Sequence, residues 1–359
     1  MSKSLGNVID PLEVINGCSL DSLQHRLEAG NLPQKEVVRA KKNNEEEFPE
    51  GIPECGSDAL RFGLLAYTVQ GRDINLDVKR VVAYRMFCNK LWNATKFALK
   101  YLVDFRPTPT LLGDSMQDSA ITTRDKFIVS RLMNGSEIVN DYLSTYKFGD
   151  AQKAAHSLWM DDICDVYLEL IKPVMNGEDE GAKKLAQGVL WVALEWGLRL
   201  LHPMMPFVTE ELWQRLPGRG TLGDSEPESI MLAKYPEKVD QFTNIAAEKS
   251  MACAMKIVKA CRSLRASYNI EHKTLTTFYM KVSGEDEMYL RDQLSDVATL
   301  ARASAVLVNV EEGSIPQSVG TIVVDDSITV LVDLKGIVDF KVEIARQQKG
   351  LGKTKALID

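Results

Sequence analysis

Lys3, set between Ser2 and Ser4 with Leu5 and Gly6 following, is the first residue of this sequence equipped for chemistry. A lysine ammonium is a mobile point charge, and small neighbours let backbone approach a polyphosphate, so such a loop suits phosphate charge. The same residues also suit a plain polar chain end. A larger candidate follows. Between Val78 and Tyr101 the sequence carries Lys79, Arg80, Arg85, Lys90, Lys96 and Lys100 and no Asp or Glu, within a chain of net charge −7. At about 100° per residue, Lys79, Lys90, Asn93, Phe97 and Lys100 gather on one helix face. A phenylalanine among cations fits stacking on an unpaired base, while Asn and Lys read base edges and phosphate. The alternative is a row of solvated charges with Phe97 packed under a neighbouring helix. Lys259, Arg262 and Arg265 form a smaller basic group that could touch the same RNA.

Other chemistries lack their residues. The histidines are His25, His156, His202 and His272, none paired with another, and no acidic pair has metal-ligand spacing. No Gly-rich strand–helix phosphate cradle is present. Cys18, Cys55, Cys88, Cys164, Cys253 and Cys261 are scattered without a Cys-x-x-Cys spacing, as expected of reduced thiols in a cytosolic protein. No apolar run approaches the roughly 18 residues needed to span a bilayer. A net charge of −7 argues against general nucleic-acid affinity, but binding depends on where the basic residues sit.

The elements that must carry these residues are mostly helical. Asp10-Pro11 starts a short helical turn, and Asp77 caps a helix to Tyr101 whose apolar stripe runs through Val81, Tyr84, Cys88, Leu91, Thr95, Leu99 and Leu102. Residues 18–55 read as a polar insertion with one or two short helices and a solvated linker through Lys41–Glu47. Two helices are expected from Thr122 to Ile171, broken near Tyr146–Gly149, and another from Gly181 to Leu201, stopped by Pro203 and Pro206. Thr209 is expected to cap the helix that ends at Leu216. Lys249–Ala266 completes the bundle. Trp92, Trp159, Trp191, Trp196 and Trp213 read as core. Beyond Lys273 come strand-like runs at 275–282, 305–310, 320–324 and 328–334, with a helix over 285–302 and a hairpin at Asp325-Asp326-Ser327.

Several segments together carry a family likeness. They are Met1-Ser2-Lys3-Ser4, Gly56-Ser57-Asp58-Ala59-Leu60-Arg61-Phe62, Gln70-Gly71-Arg72-Asp73-Ile74, Asn89-Lys90-Leu91-Trp92-Asn93-Ala94, and Leu201-His202-Pro203 through Trp213. In this order the chain resembles the C-terminal part of the valyl-tRNA synthetases, within class I of the aminoacyl-tRNA synthetases, and the insertion suggests the eukaryotic type. The resemblance implies a mainly α fold: a stem-contact remnant (1–76, with the insertion 18–55), a helical anticodon-binding domain (77–270), a small α/β domain (271–339) and a basic helical tail (340–359). It also implies ATP-dependent attachment of valine to its tRNA. Lys3 matches the second lysine of the Lys-Met-Ser-Lys-Ser signature and would be the catalytic cation, with Met1, Ser2, Lys3 and Ser4 against ATP. The tRNA-binding residues would be Lys79, Arg80, Arg85, Asn89, Lys90, Asn93, Phe97 and Lys100. ATP and Mg²⁺ serve the complete enzyme, and neither is expected to bind tightly to this chain alone. The implied partners are the anticodon stem-loop of valine tRNA and an N-terminal catalytic half in cis or in trans, without which this chain is expected to be inactive. A stand-alone tRNA-binding module or one subunit of a split enzyme is the alternative. The expected location is the cytoplasm, with an organelle also open.

Overall fold

The computed structural model describes residues 9–69, 77–219 and 226–338, with Ile344 and Gln348 beyond them. Met1–Ser4 and the Gln70–Ile74 motif lie outside the described residues, as does most of the tail after residue 338. The chain divides into two compact units. The first comprises Met1–Ile121, Arg131–Leu168 and Val174–Thr243; the second comprises Thr122–Ser130, Glu169–Pro173 and Asn244–Asp359.

The first unit is helical. Asp10 caps α1 (Pro11–Asn16) in a capping box with Glu13, proline filling the first helical position where no N–H is needed. In the insertion lie α2 (Leu20–Ala29) and α3 (Gln34–Glu47), so Lys41–Glu47 forms the end of a helix and not a linker. Val37 and Ala40 are buried, which holds this polar helix against protein. Then come α4 (Ser57–Tyr67), α5 (Val78–Leu99), α6 (Leu111–Gln117), α7 (Thr123–Ser144, whose first turns belong to the second unit) and α8 (Phe148–Ser157). Tyr146, with φ of 59°, breaks the chain between α7 and α8.

From Leu158 to Tyr167 the helix widens to the π form, a rare geometry enriched at functional sites. The short turns α9 (Leu168–Leu170) and α10 (Lys172–Met175) follow, of which Glu169–Pro173 belong to the second unit, then α11 (Glu180–Leu201) and α12 (Pro206–Gln214). Val189, Leu190, Ala193, Leu194 and Leu198 of α11 are fully buried. Trp159 of the π segment donates its indole N–H to the Gly197 carbonyl at 2.9 Å. A Cβ at Gly197 would stand 3.0 Å from that ring, so only glycine permits this approach.

The second unit sets α13 (Ile245–Ser267) against a four-stranded sheet. β1 (Thr276–Val282) leads through α14 (Glu285–Leu290) and α15 (Leu294–Ala301) to its parallel neighbour β2 (Ala303–Val308). β3 (Val319–Val323) and β4 (Ile328–Asp333) form an antiparallel hairpin, and the spatial order is β2-β1-β4-β3. Alternation along β1 and β4 buries Phe278, Met280 and Val282 with Ile328, Val330 and Val332. The helix expected over 285–302 is two helices, interrupted around Gln293.

Candidate nucleic-acid interface

The basic residues of α5 are held by an orderly start to that helix. The Asp77 carboxylate accepts the Lys79 N–H at 2.9 Å, and the Asp77 N–H donates to the Tyr67 hydroxyl of α4 at 3.0 Å. The α5 stripe packs inward as the periodicity requires: Val81, Leu91 and Thr95 are fully buried, with Cys88 nearly so. Burial pushes the Cys88 thiol up to about 11, so it is an inert packing group. Phe87 joins this core, 4.5 Å from the His156 ring and stacked on Phe62. Desolvation there holds His156 below the ordinary imidazole value.

The opposite face of α5 meets solvent. Lys79, Arg80, Asn89, Asn93, Lys96 and Lys100 are exposed, while Arg85, Lys90 and Phe97 are half-buried. At 1.5 Å per residue the row from Lys79 to Lys100 is about 31 Å long. The Phe97 ring is met edge-on by Tyr101 at 5.2 Å, which fixes its orientation. Two of the cations are engaged within the protein. The Lys90 ammonium pairs with Asp165 of the π segment at 2.9 Å, both side chains remaining accessible. The Arg80 guanidinium lies 4.8 Å over the Tyr67 ring.

Two other expectations change. Trp92, expected in the core, is 39% exposed, and Arg215 of α12 stands over its ring at 5.5 Å. Of the smaller basic group, Lys259 and Arg262 are exposed and only Arg265 is built into the fold. Arg265 is buried and donates to the carbonyls of Glu271 at 2.7 Å, Thr274 at 2.8 Å and Arg302 at 3.4 Å. Arg262 donates to the Leu300 carbonyl at the end of α15, where a helix presents partial negative charge. Arg265 is thereby withdrawn from any phosphate, whereas Arg262 stays exposed with its Nε and Nη2 on the protein.

The Gly56–Phe62 and Leu201–Trp213 segments meet in space. The Asp58 carboxylate accepts the N–H groups of Phe207 at 3.2 Å and Val208 at 2.6 Å, capping α12 from 150 residues away. Thr209 therefore does not cap this helix. It is buried inside it, donating to the Met205 carbonyl and contacting His202 Nδ1 at 2.7 Å. The same Thr209 hydroxyl cannot also donate to the imidazole, so Nδ1 carries the proton. Arg61 donates to the Pro203 carbonyl at 3.2 Å. Sequence reasoning missed Asp58 and Asp165; only an acid in the first turn of a helix hinted at the former.

Family comparisons agree with this architecture. Residues 125–279 match the anticodon-binding domain of tRNA ligases, and residues 1–77 match the class I tRNA synthetases of the I, L, M and V group. Helix α5 falls between the two matches. The chain therefore belongs to the class I tRNA synthetases, with an anticodon-binding domain. Within that class its relatives are valine–tRNA ligases, and it matches the C-terminal portion of a valyl-tRNA synthetase. It is 45% identical to the valine–tRNA ligase of Rattus norvegicus over 97% of this chain and 27% of that protein. The valine–tRNA ligase of Caenorhabditis elegans is 41% identical over 96% of this chain and 33% of the relative. The mitochondrial valine–tRNA ligase of Saccharomyces cerevisiae is 41% identical over 99% of this chain and 32% of the relative. The chain thus spans about a third or less of the length of these relatives. Among the described residues no helix is long and apolar enough to cross a membrane.

Proposed function

We propose that this chain serves ATP-dependent attachment of valine to its tRNA and that its part is to hold the anticodon stem-loop on α5. The observation that carries the reading is the row of cations around Phe97 on the exposed side of a helix without a single carboxylate. Lys79 and Lys100 meet phosphate, Asn93 a base edge, and Phe97 the face of an unstacked base. Lys90 joins them by exchanging Asp165 for phosphate. Valine anticodons end in A-C, which supplies two fixed bases to read. Identity over nearly the whole chain favours a ligase over a stand-alone RNA-binding module.

Lys3, with Met1, Ser2 and Ser4, is the proposed contact to the ATP phosphates; these residues lie outside the described ones. The reaction uses Mg²⁺ with ATP, and among the described residues no cluster of three His, Cys, Asp or Glu is placed to hold a metal ion. The catalytic core of the ligase, in cis or in trans, is the protein partner, and the cytoplasm is the proposed location; two relatives are mitochondrial enzymes. Titrating the chain with valine tRNA and with the same tRNA carrying a changed A-C pair tests the reading. Preference for A-C, lost in Phe97→Ala, is the expected result; equal affinity for both tRNAs contradicts it.

A further inference from the structure

A second side of α5 is built for a ligand. Arg85, Asn89 and Trp92 follow one another at i, i+4 and i+7, roughly 100° round the helix from the Lys79–Phe97 row. With Asp58 of α4 and Phe207 and Glu211 of α12 they line a cleft of about 540 Å³. That volume lies within the range of roughly 300–1,000 Å³ usual for small-ligand sites.

The polar groups of this cleft divide into spent and unspent. Both carboxylates are spent: Asp58 holds two N–H groups of α12, and Glu211 accepts Arg215 Nε at 2.9 Å. The donors are not. Arg85 forms no ion pair among the described residues, and the Asn89 amide reaches only the Met86 sulfur at 3.9 Å. Gly56 borders the guanidinium: a Cβ there would stand in ordinary contact with Arg85 Nη1, at 3.5 Å. Two aromatic side chains complete the wall, Trp92 at 39% and Phe207 at 65% exposure, with the Arg215 guanidinium 5.5 Å over one face of the Trp92 ring. A cavity offering aromatic surface, a free guanidinium and a free amide, with its acids already hydrogen-bonded, complements a flat ring that carries acceptors and a negative charge.

We infer that this cleft takes one unstacked nucleotide of the bound RNA. Its base lies on Trp92, its edge meets Asn89 and its phosphate meets Arg85. The inference rests on the RNA reading above but uses residues on a different side of the helix. A free mononucleotide offers the same chemistry, so the experiment separates the two sources.

The full chain is titrated with valine tRNA across a salt series and, separately, with AMP and CMP. Trp92→Ala and Arg85→Gln should each weaken tRNA binding about tenfold, and Arg85→Gln should also lower the salt slope by about one. Trp92→Phe, which keeps a stacking face and the fold, should stay within about threefold of wild type. Unchanged tRNA affinity in Trp92→Ala and Arg85→Gln, alongside weakened binding in Lys79→Gln, would overturn the cleft and leave the Lys79–Lys100 row standing. Micromolar binding of AMP or CMP that Trp92→Ala abolishes would overturn the RNA assignment in favour of a free nucleotide. Wild-type protein without tRNA affinity would overturn both readings.

Discussion

Two basic groups stand out in this sequence, and the structure engages their charges differently. On α5, in the first unit, Lys79 and Lys100 point to water and Lys90 gives up solvent only to a half-exposed aspartate. On α13, in the second unit, Arg265 turns inward and Arg262, although exposed, lays its Nε and Nη2 on a helix-end carbonyl, so both satisfy backbone acceptors. Lysine's long flexible stem and strongly hydrated head favour the first fate, and arginine's planar fork of donors favours the second. A cluster of positive charge is thus an RNA-binding candidate only where the local backbone is already satisfied.

The sharpest way to break this contrast is through stability. Arg265→Ala should cost the second unit about 3 kcal/mol, because buried carbonyls lose a charged donor. Lys79→Ala should change folding by no more than about 0.5 kcal/mol. Urea unfolding of the two variants checks both, and equal losses would erase the distinction. RNA binding should show the reverse order. Phe97→Ala should weaken tRNA binding by about 2 kcal/mol while folding nearly as well as wild type, as filter binding and a thermal melt would show.

Acid should act on the α5 side as well. Burial holds His156 and His202, both in the first unit, below the ordinary value of 6.5. The unfolded chain therefore takes up protons before the folded one does. The associated stability is complete above pH 6.5 and declines as pH falls toward the folded values, by at most about 1.4 kcal/mol per pH unit for each group. His156→Phe, which suits its surroundings of Phe62 and Phe87, should flatten part of that decline in melts between pH 7.5 and 5.5. A slope unaltered by His156→Phe would show that this ring is not its source. The smallest effect is expected at Asp165→Asn. A half-exposed ion pair is worth about 1 kcal/mol or less, so releasing Lys90 should tighten tRNA binding two- to fivefold. Weaker binding would mean that Asp165 holds Lys90 in its productive place.

Much of α5 is legible before any coordinates. Asp77 as cap, the apolar stripe and the row of cations follow from periodicity alone, and the helix observed is Val78–Leu99. The likeness carried by the Leu201–Trp213 segment was equally plain, but its physical basis was not. Asp58 caps α12 across 149 positions of sequence, a distance at which a local reading sees only Thr209. The π segment at Leu158–Tyr167 leaves no periodic mark, so the carboxylate it brings to Lys90 could not be placed. Trp92 was misassigned because a tryptophan near an apolar stripe resembles a core residue, whereas its polar partner, Arg215, belongs to another helix. Arg265 failed for the converse reason: its partners are backbone carbonyls, which every residue carries and no motif records.

The most direct test of the account is the salt dependence of valine-tRNA binding for wild type, Lys79→Gln/Lys100→Gln and Arg262→Gln. Each phosphate contact contributes roughly 0.7 to 0.9 to the slope of log affinity against log salt. The account predicts that the double variant loses about 1.5 of that slope and that Arg262→Gln keeps all of it. An unchanged slope in the double variant, or an equal loss in Arg262→Gln, would contradict it.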